Sequence, residues 1–267
     1  MSEYHHVDAT WSVVSGGRWA FHISGSNTFI GFGRTAAHTA READRRTKSV
    51  DTNDRYFIEP TTGAVLDATR VLRWISLCEQ MHDEACRIPT HLAFADAFRG
   101  LRLLRLIDTE ANCLAEKTNL EKYVALSYVW GSVPNFRLTT ANRTALLAPC
   151  SLSKVYNRLP KTIKDTIILV RRLGCRYLWV DALCLLQNDT EDLGRGVNVM
   201  DLIYEHAWLT VVAACGHDAN ASLPGVQNGT RMASRNTVEI KPGVEMGVMT
   251  SLDTLLKNSV YNSRAWT

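Results

Sequence analysis

"LPKTIKDTIILVRRLGCRYLWVDALCLLQND", residues 159–189, changes period in its middle. Ile163, Ile167 and Val170 recur at helical spacing, with Lys164 and Arg171 falling mostly on the opposite face. Thr162 with Asp165 three residues on has the form of a capping box, and Gly174 suits the left-handed position just past a helix end. Then "RYLWVD" (176–181) is an apolar run ending in an acid, which predicts a buried strand. A helix feeding directly into a strand is one half of a β-α-β unit.

The same alternation extends on both sides. "YVALSYVWG" (123–131) predicts a strand that finishes in Ser127, Tyr128, Trp130 and Gly131. Met200, Ile203, Tyr204 and Ala207 mark a further helix, and "LTVVAAC" (209–215) a third strand. Strand, helix, strand, helix, strand predicts an α/β fold with a mainly parallel sheet and flanking helices. The carboxyl ends of parallel strands emerge along one edge, where open α/β sheets place ligands. That edge would carry Ser127–Gly131, Asp181–Gln187 and Cys215–His217.

Upstream the chain is less regular. Residues 1–60 space Trp11, Trp19, Phe21, Ile23, Phe29, Ile30 and Phe32 among Gly and Ser, which predicts short strands or an irregular accessory layer. Residues 39–55, "TAREADRRTKSVDTNDR", lack large apolar side chains and suit a mobile linker. A main domain would then occupy 61–267, with its core at 122–215. Leu72, Ile75, Leu77, Cys78 and Met81 suit an amphipathic helix; "LRLLRLID" (101–108) suits a strand, and "NCLAEK" after it a turn.

A hydrophobic content of 46% with 21% charged residues is that of a globular chain with a substantial core. A net charge of +3 without a basic block argues against nucleic acid or an anionic membrane as partner. No apolar run reaches the roughly 18 residues of a membrane span. The N-terminus lacks a secretory pattern, and seven scattered cysteines suit reduced thiols, so a cytoplasmic location is expected.

Asp181 carries the most chemistry. At the end of an apolar strand it either caps its own loop through backbone N–H groups or has a perturbed pKa suited to catalysis. Cys184 is a candidate nucleophile, which would need an imidazole such as His206 or His217; buried cysteine is more often core. Gln187 either clamps a loop or orients a substrate. Trp130 and Tyr128 offer stacking surfaces beside the flexible Gly131. Cys78, His82 and Cys86 fall on one helical face, but zinc needs a fourth ligand, from Cys113 or His91, and no CxxC knuckle is present; no metal site is assigned. Walker, dinucleotide and nucleophile-elbow motifs are absent.

Together these stretches resemble the fungal heterokaryon-incompatibility (HET) domain. "YVALSYVWG" is similar to its opening motif, and 159–189 to its central one, including the Asp-x-x-Cys-x-x-Gln spacing of Asp181, Cys184 and Gln187. "MDLIYEHAWLTVVAA" (200–214) and "SRAWT" (263–267) are similar to later motifs, and "WISLCEQMHDEAC" and "LRLIDT" to a common lead-in. The resemblance implies nonself recognition and programmed cell death through self-association or protein partners. It implies also a flavodoxin-like fold akin to the Toll/interleukin-receptor (TIR) domain. By that analogy NAD is a substrate candidate, with Asp181, Cys184 and Gln187 catalytic and Ser127, Tyr128, Trp130 and Gly131 holding the nucleotide; no cofactor is required. A small-molecule enzyme of secondary metabolism is a third alternative. Where the family often reads Trp-x-x-Glu, this chain has Leu193, Gly194, Arg195 and Gly196, and it stops inside the last motif.

Overall fold

The computed structural model describes residues 9–14, 18–23, 28–34, 63–81, 92–231, 237–242, 244–250, 252–257 and 259–263. The chain divides into two compact units, Met1–Ala64 with Met232–Asn258, and Val65–Arg231 with Ser259–Thr267.

In the first unit, β1 (Ala9–Val14), β2 (Arg18–Ile23) and β3 (Thr28–Arg34) form an antiparallel meander. Its sheet is completed by β10 (Val244–Thr250) beside β3 and β9 (Thr237–Lys241) at the edge. Of the two alternatives the N-terminal segment takes the short strands, within a regular five-stranded sheet, and two strands of that sheet come from 237–250, inside the segment expected to be main domain. The segment 39–55 lies outside the described residues.

The second unit holds the predicted β-α-β-α-β core. Its sheet runs β5 (Cys113–Lys117), β4 (Leu104–Asp108), β7 (Tyr177–Trp179), β6 (Tyr123–Tyr128), β8 (Leu209–Ala213). As predicted, β6 pairs in parallel with β7 on one side, Tyr123 opposite Tyr177, and with β8 on the other, Tyr128 opposite Ala213. The sheet is nevertheless mixed rather than mainly parallel, because β4 runs antiparallel to both β7 and β5. "NCLAEK", expected as a turn, is mostly the strand β5. The turn lies just before it, where Asp108 Oδ1 accepts from the N–H groups of Glu110 (3.1 Å) and Ala111 (2.9 Å) and Asn112 takes a left-handed φ of 54°.

The helix between the first two parallel strands, α5, spans Lys161–Arg172, after α1 (Ala68–Met81), α2 (Phe94–Ala97), α3 (Arg143–Leu147) and α4 (Ser151–Val155). Its end is a Schellman motif: Gly174, at φ 67°, donates to Arg171 O and Cys175 N–H donates back to Val170 O. Its start corrects the capping-box expectation. Thr162 Oγ1 donates to Ala221 O at 2.6 Å, and Asp165 accepts from Leu223 N–H at 2.9 Å and from Gln227. Both side chains fasten the loop after β8 instead of capping their own helix.

Tyr123, Leu126, Leu178 and Trp179 from the sheet and Ile163 and Ile167 from α5 fill the core. Helix α1 turns Ala68, Val71 and Leu72 onto a second cluster with Leu169, Leu173, Leu223 and Val226, leaving Trp74, Leu77 and Cys78 exposed. Its buried stripe is therefore rotated from the predicted one.

Candidate functional site at the strand ends

In chain order the parallel strands are β6, β7, β8, but in space β6 lies between the other two. The connection leaving β6 goes to one side and the next crosses to the other, so the carboxyl end of β6 beside β8 is a topological switch point. A cavity of about 40 Å³ sits there, lined by Tyr128, Val129, Val212–Gly216, Thr162, Asp218 and Ala221–Pro224. That is room for a few water molecules.

The three predicted loops meet at this edge. Past β6 the chain turns at Gly131, whose φ of 65° is left-handed. A Cβ there would lie 2.4 Å from Asp218 Cβ, so the turn packs directly on the loop after β8. Ala219 N–H donates to Trp130 O at 3.2 Å across the same junction. The indole Nε1–H of Trp130 reaches the other way and donates to Asp181 Oδ2 at 2.9 Å. Outside it, the Arg137 guanidinium lies 4.8 Å from the Trp130 ring centroid, a cation–π arrangement.

Asp181 does not end β7; it opens α6 (Asp181–Cys184), a single helical turn. Its second oxygen, Oδ1, accepts from Ala182 N–H at 2.7 Å, so a neighbouring side chain and its own turn both hold the carboxylate. Ser127, at the end of β6, shares a 2.8 Å hydrogen bond with the Tyr261 hydroxyl.

Cys184 is 1% exposed, and its sulfur accepts from Val180 N–H at 3.3 Å. Burial drives the thiol up to about 12, against the bond from Val180 N–H and with a lesser push from the Asp181 charge. Burial therefore favours the protonated thiol over the thiolate that a nucleophile needs. His206 packs its ring edge-on against Phe98, and the His217 carbonyl faces Gly131. Gln187 is a clamp: Nε2 donates to Asp181 O at 3.0 Å and Leu185 O at 3.2 Å, while its main-chain N–H donates to Leu138 O. Tyr128 is buried, accepts from Asn135 Nδ2 at 3.2 Å, and is pushed up by desolvation and then by the Asp181 charge.

Behind α6 lies an ion network that sequence reasoning missed. Arg105, in the middle of β4, is 8% exposed and donates to both oxygens of Asp192 (2.8 and 2.9 Å) and to Glu116 (3.1 Å). Arg143 reaches Glu116 from α3 at 2.7 Å. Asp192 belongs to α7 (Thr190–Asn198), whose N-cap Asp189 accepts from the N–H groups of Glu191 and Asp192; α8 (Met200–Glu205) follows. The available signal was one arginine inside "LLRLI". Cys78 is exposed, His82, Cys86 and His91 lie outside the described residues, and among the described residues no three metal-ligating side chains cluster.

A mixed α/β domain whose parallel strands end in an aromatic–carboxylate latch is the class defined by this geometry. The family model described as heterokaryon incompatibility protein (HET) matches residues 123–267, beginning at the first residue of β6 and covering more than half of the chain, and the chain belongs to that family. Membership ties it to heterokaryon incompatibility and a fungal setting. No curated protein and no solved structure matches it. No helix among the described residues is long and apolar enough to cross a membrane.

Proposed function

We propose that the chain signals programmed cell death in fungal nonself recognition through contacts with protein partners or a second copy, and that the motif residues at the strand ends hold the signalling surface in shape. One observation carries this reading: the motif side chains are turned inward. Trp130 and Asp181 bond each other, Gln187 holds backbone carbonyls, and Cys184 is buried. Half-buried polar heads satisfied in this way rigidify a loop edge, as a docking surface requires.

The test compares cell killing, assembly and NAD cleavage. The chain is expressed in fungal cells, and the purified protein is followed by light scattering across concentrations, with and without extract, and incubated with NAD. Killing together with concentration- or extract-dependent assembly, and without nicotinamide release, is the expected result. Nicotinamide release lost in Asp181→Asn at unchanged melting temperature would replace this reading by the enzymatic one.

A further inference from the structure

Two residues other than glycine among those described adopt a left-handed backbone, Asn112 (φ 54°) and Cys150 (φ 59°), and they lie against each other. Cys150 N–H donates to Ala111 O at 2.9 Å, and Leu152 N–H donates to Asn112 O at 3.0 Å. The Asn112 side chain also bonds Ser153. These bonds pin the first turn of α4 onto the tip of the β4–β5 hairpin, one residue from Cys113. The hairpin tip is itself held from behind, because Arg171 donates to Thr109 O at 2.8 Å and Arg176 to Asp108 at 2.7 Å.

Cys113 is buried and Cys150 is exposed. The two bonds across this junction set the Cys150 backbone against Ala111 and Asn112, the residues that lead into Cys113; burial is the first cause that pushes the Cys113 thiol up. An exposed cysteine on a segment bonded beside a buried one suits an attacking and a resolving cysteine. Non-glycine residues held in the left-handed region are costly and persist where the surroundings over-determine them.

We propose that Cys113 and Cys150 form a peroxide-driven disulfide that fastens the β4–β5 hairpin to α4. The Cys150 thiolate attacks hydrogen peroxide, the O–O bond breaks, and water leaves with the released proton, giving a sulfenic acid. The Cys113 sulfur then attacks the sulfenic sulfur; the S–S bond forms, the S–O bond breaks, and the hydroxide leaves as water with the Cys113 proton. Two thiols are oxidised by two electrons and one peroxide is reduced to two waters. Closing this bond constrains the unfolded chain between the two residues, so the oxidised form melts at a higher temperature.

The experiment treats the whole chain with hydrogen peroxide under native conditions, blocks remaining thiols, and maps linked peptides by mass spectrometry. A peptide pair joining Cys113 to Cys150, two hydrogens lighter than its parts, is expected. With it should come a rise in melting temperature that dithiothreitol reverses and that Cys150→Ser lacks. Cys113→Ala should accumulate sulfenic acid at Cys150, which a dimedone probe reads without requiring any change in stability. Oxidation that stops at Cys150 in the unmutated chain, or links formed instead through Cys78 or Cys215, overturns the proposal.

Discussion

The indole N–H of Trp130 donates to Oδ2 of Asp181 across 2.9 Å, joining the turn after β6 to the turn after β7. Asp181 spends its other oxygen on Ala182 N–H. An asparagine keeps one acceptor oxygen and presents an amide to the second donor. Asp181→Asn should therefore strand one donor and cost about 1–3 kcal/mol. Thermal melting checks this, and a double-mutant cycle with Trp130→Phe should show the two losses coupled rather than additive. An unchanged melting temperature would mean that Asp181 is not a latch.

Gly131 makes that latch reachable. Its left-handed φ costs an L-residue about 1–2 kcal/mol, and the added Cβ meets Asp218 Cβ at 2.4 Å and its Cα at 3.0 Å. Because backbone lies in the way, relaxation has to move the loop after β8. Gly131→Ala should destabilise by more than about 2 kcal/mol. It should also raise hydrogen exchange at Ala219, whose N–H bonds Trp130 O.

The parallel core was legible because its signals are local. The apolar runs of β6, β7 and β8 and the glycine closing α5 each need only a few neighbouring residues. What stayed hidden depends on contacts distant in sequence. Thr162 and Asp165 have capping-box spacing, yet their oxygens serve Ala221 and Leu223, nearly sixty positions on. No local pattern announces that β10 pairs with β3, or that Arg105, Glu116, Arg143 and Asp192 assemble one charge network. At the site, the motif spacing showed which residues belong together but not that Cys184 and Gln187 face inward.

Cys184 yields an alkaline signature. Its folded pKa is raised from an ordinary 9.0 to about 12, so folding favours the protonated thiol. That contribution is fully present below about pH 9 and is lost as pH climbs towards 12. Cys184→Ala removes the titrating group, so its alkaline loss of stability should be shallower than that of the unmutated chain over this window. Native alkylation at pH 8 should modify the exposed Cys78, Cys150 and Cys215 long before Cys184.

Asp192 behaves oppositely. Burial disfavours its charge, but the hydrogen bonds and charge of Arg105 and the Leu186 N–H prevail and hold the carboxyl below its ordinary 3.8. A depressed folded pKa contributes stability that is present above about pH 4 and is lost as pH falls through the folded value. Asp192→Asn leaves Glu116 as the carboxylate paired with Arg105, which also donates to Cys184 O, a loss near the lower end of the ~3–5 kcal/mol typical of a broken buried pair. The melting difference between the variant and the parent should be full at neutral pH and narrow below pH 4. A constant difference across that range would exclude the ion pair as its cause.

Gly196 occupies the position where the resemblance placed a glutamate, and the structure gives it a packing role. It is buried in α7, and a Cβ there would meet Leu185 Cδ2 at 2.3 Å, with Cδ1 at 3.1 Å and Cγ at 3.2 Å. Leu185 follows the Asp181–Cys184 turn, so the missing side chain lets α7 close directly on the loop that carries the motif. Gly196→Ala has two opposing effects. Better helix propensity contributes about 1 kcal/mol, and forcing the 5% exposed Leu185 out of its place costs about 1–3 kcal/mol. The net should be a small destabilisation, with the shift felt first at Gln187. Gly196→Glu meets the same leucine with a longer, charged side chain and should lose several kcal/mol, since an unpaired charge has no place in that contact. Adding Leu185→Ala opens the space, so it should recover much of the loss in Gly196→Ala and little of it in Gly196→Glu. Melting of the four variants checks this; a Gly196→Glu protein as stable as the parent would show that α7 can part from the loop without cost.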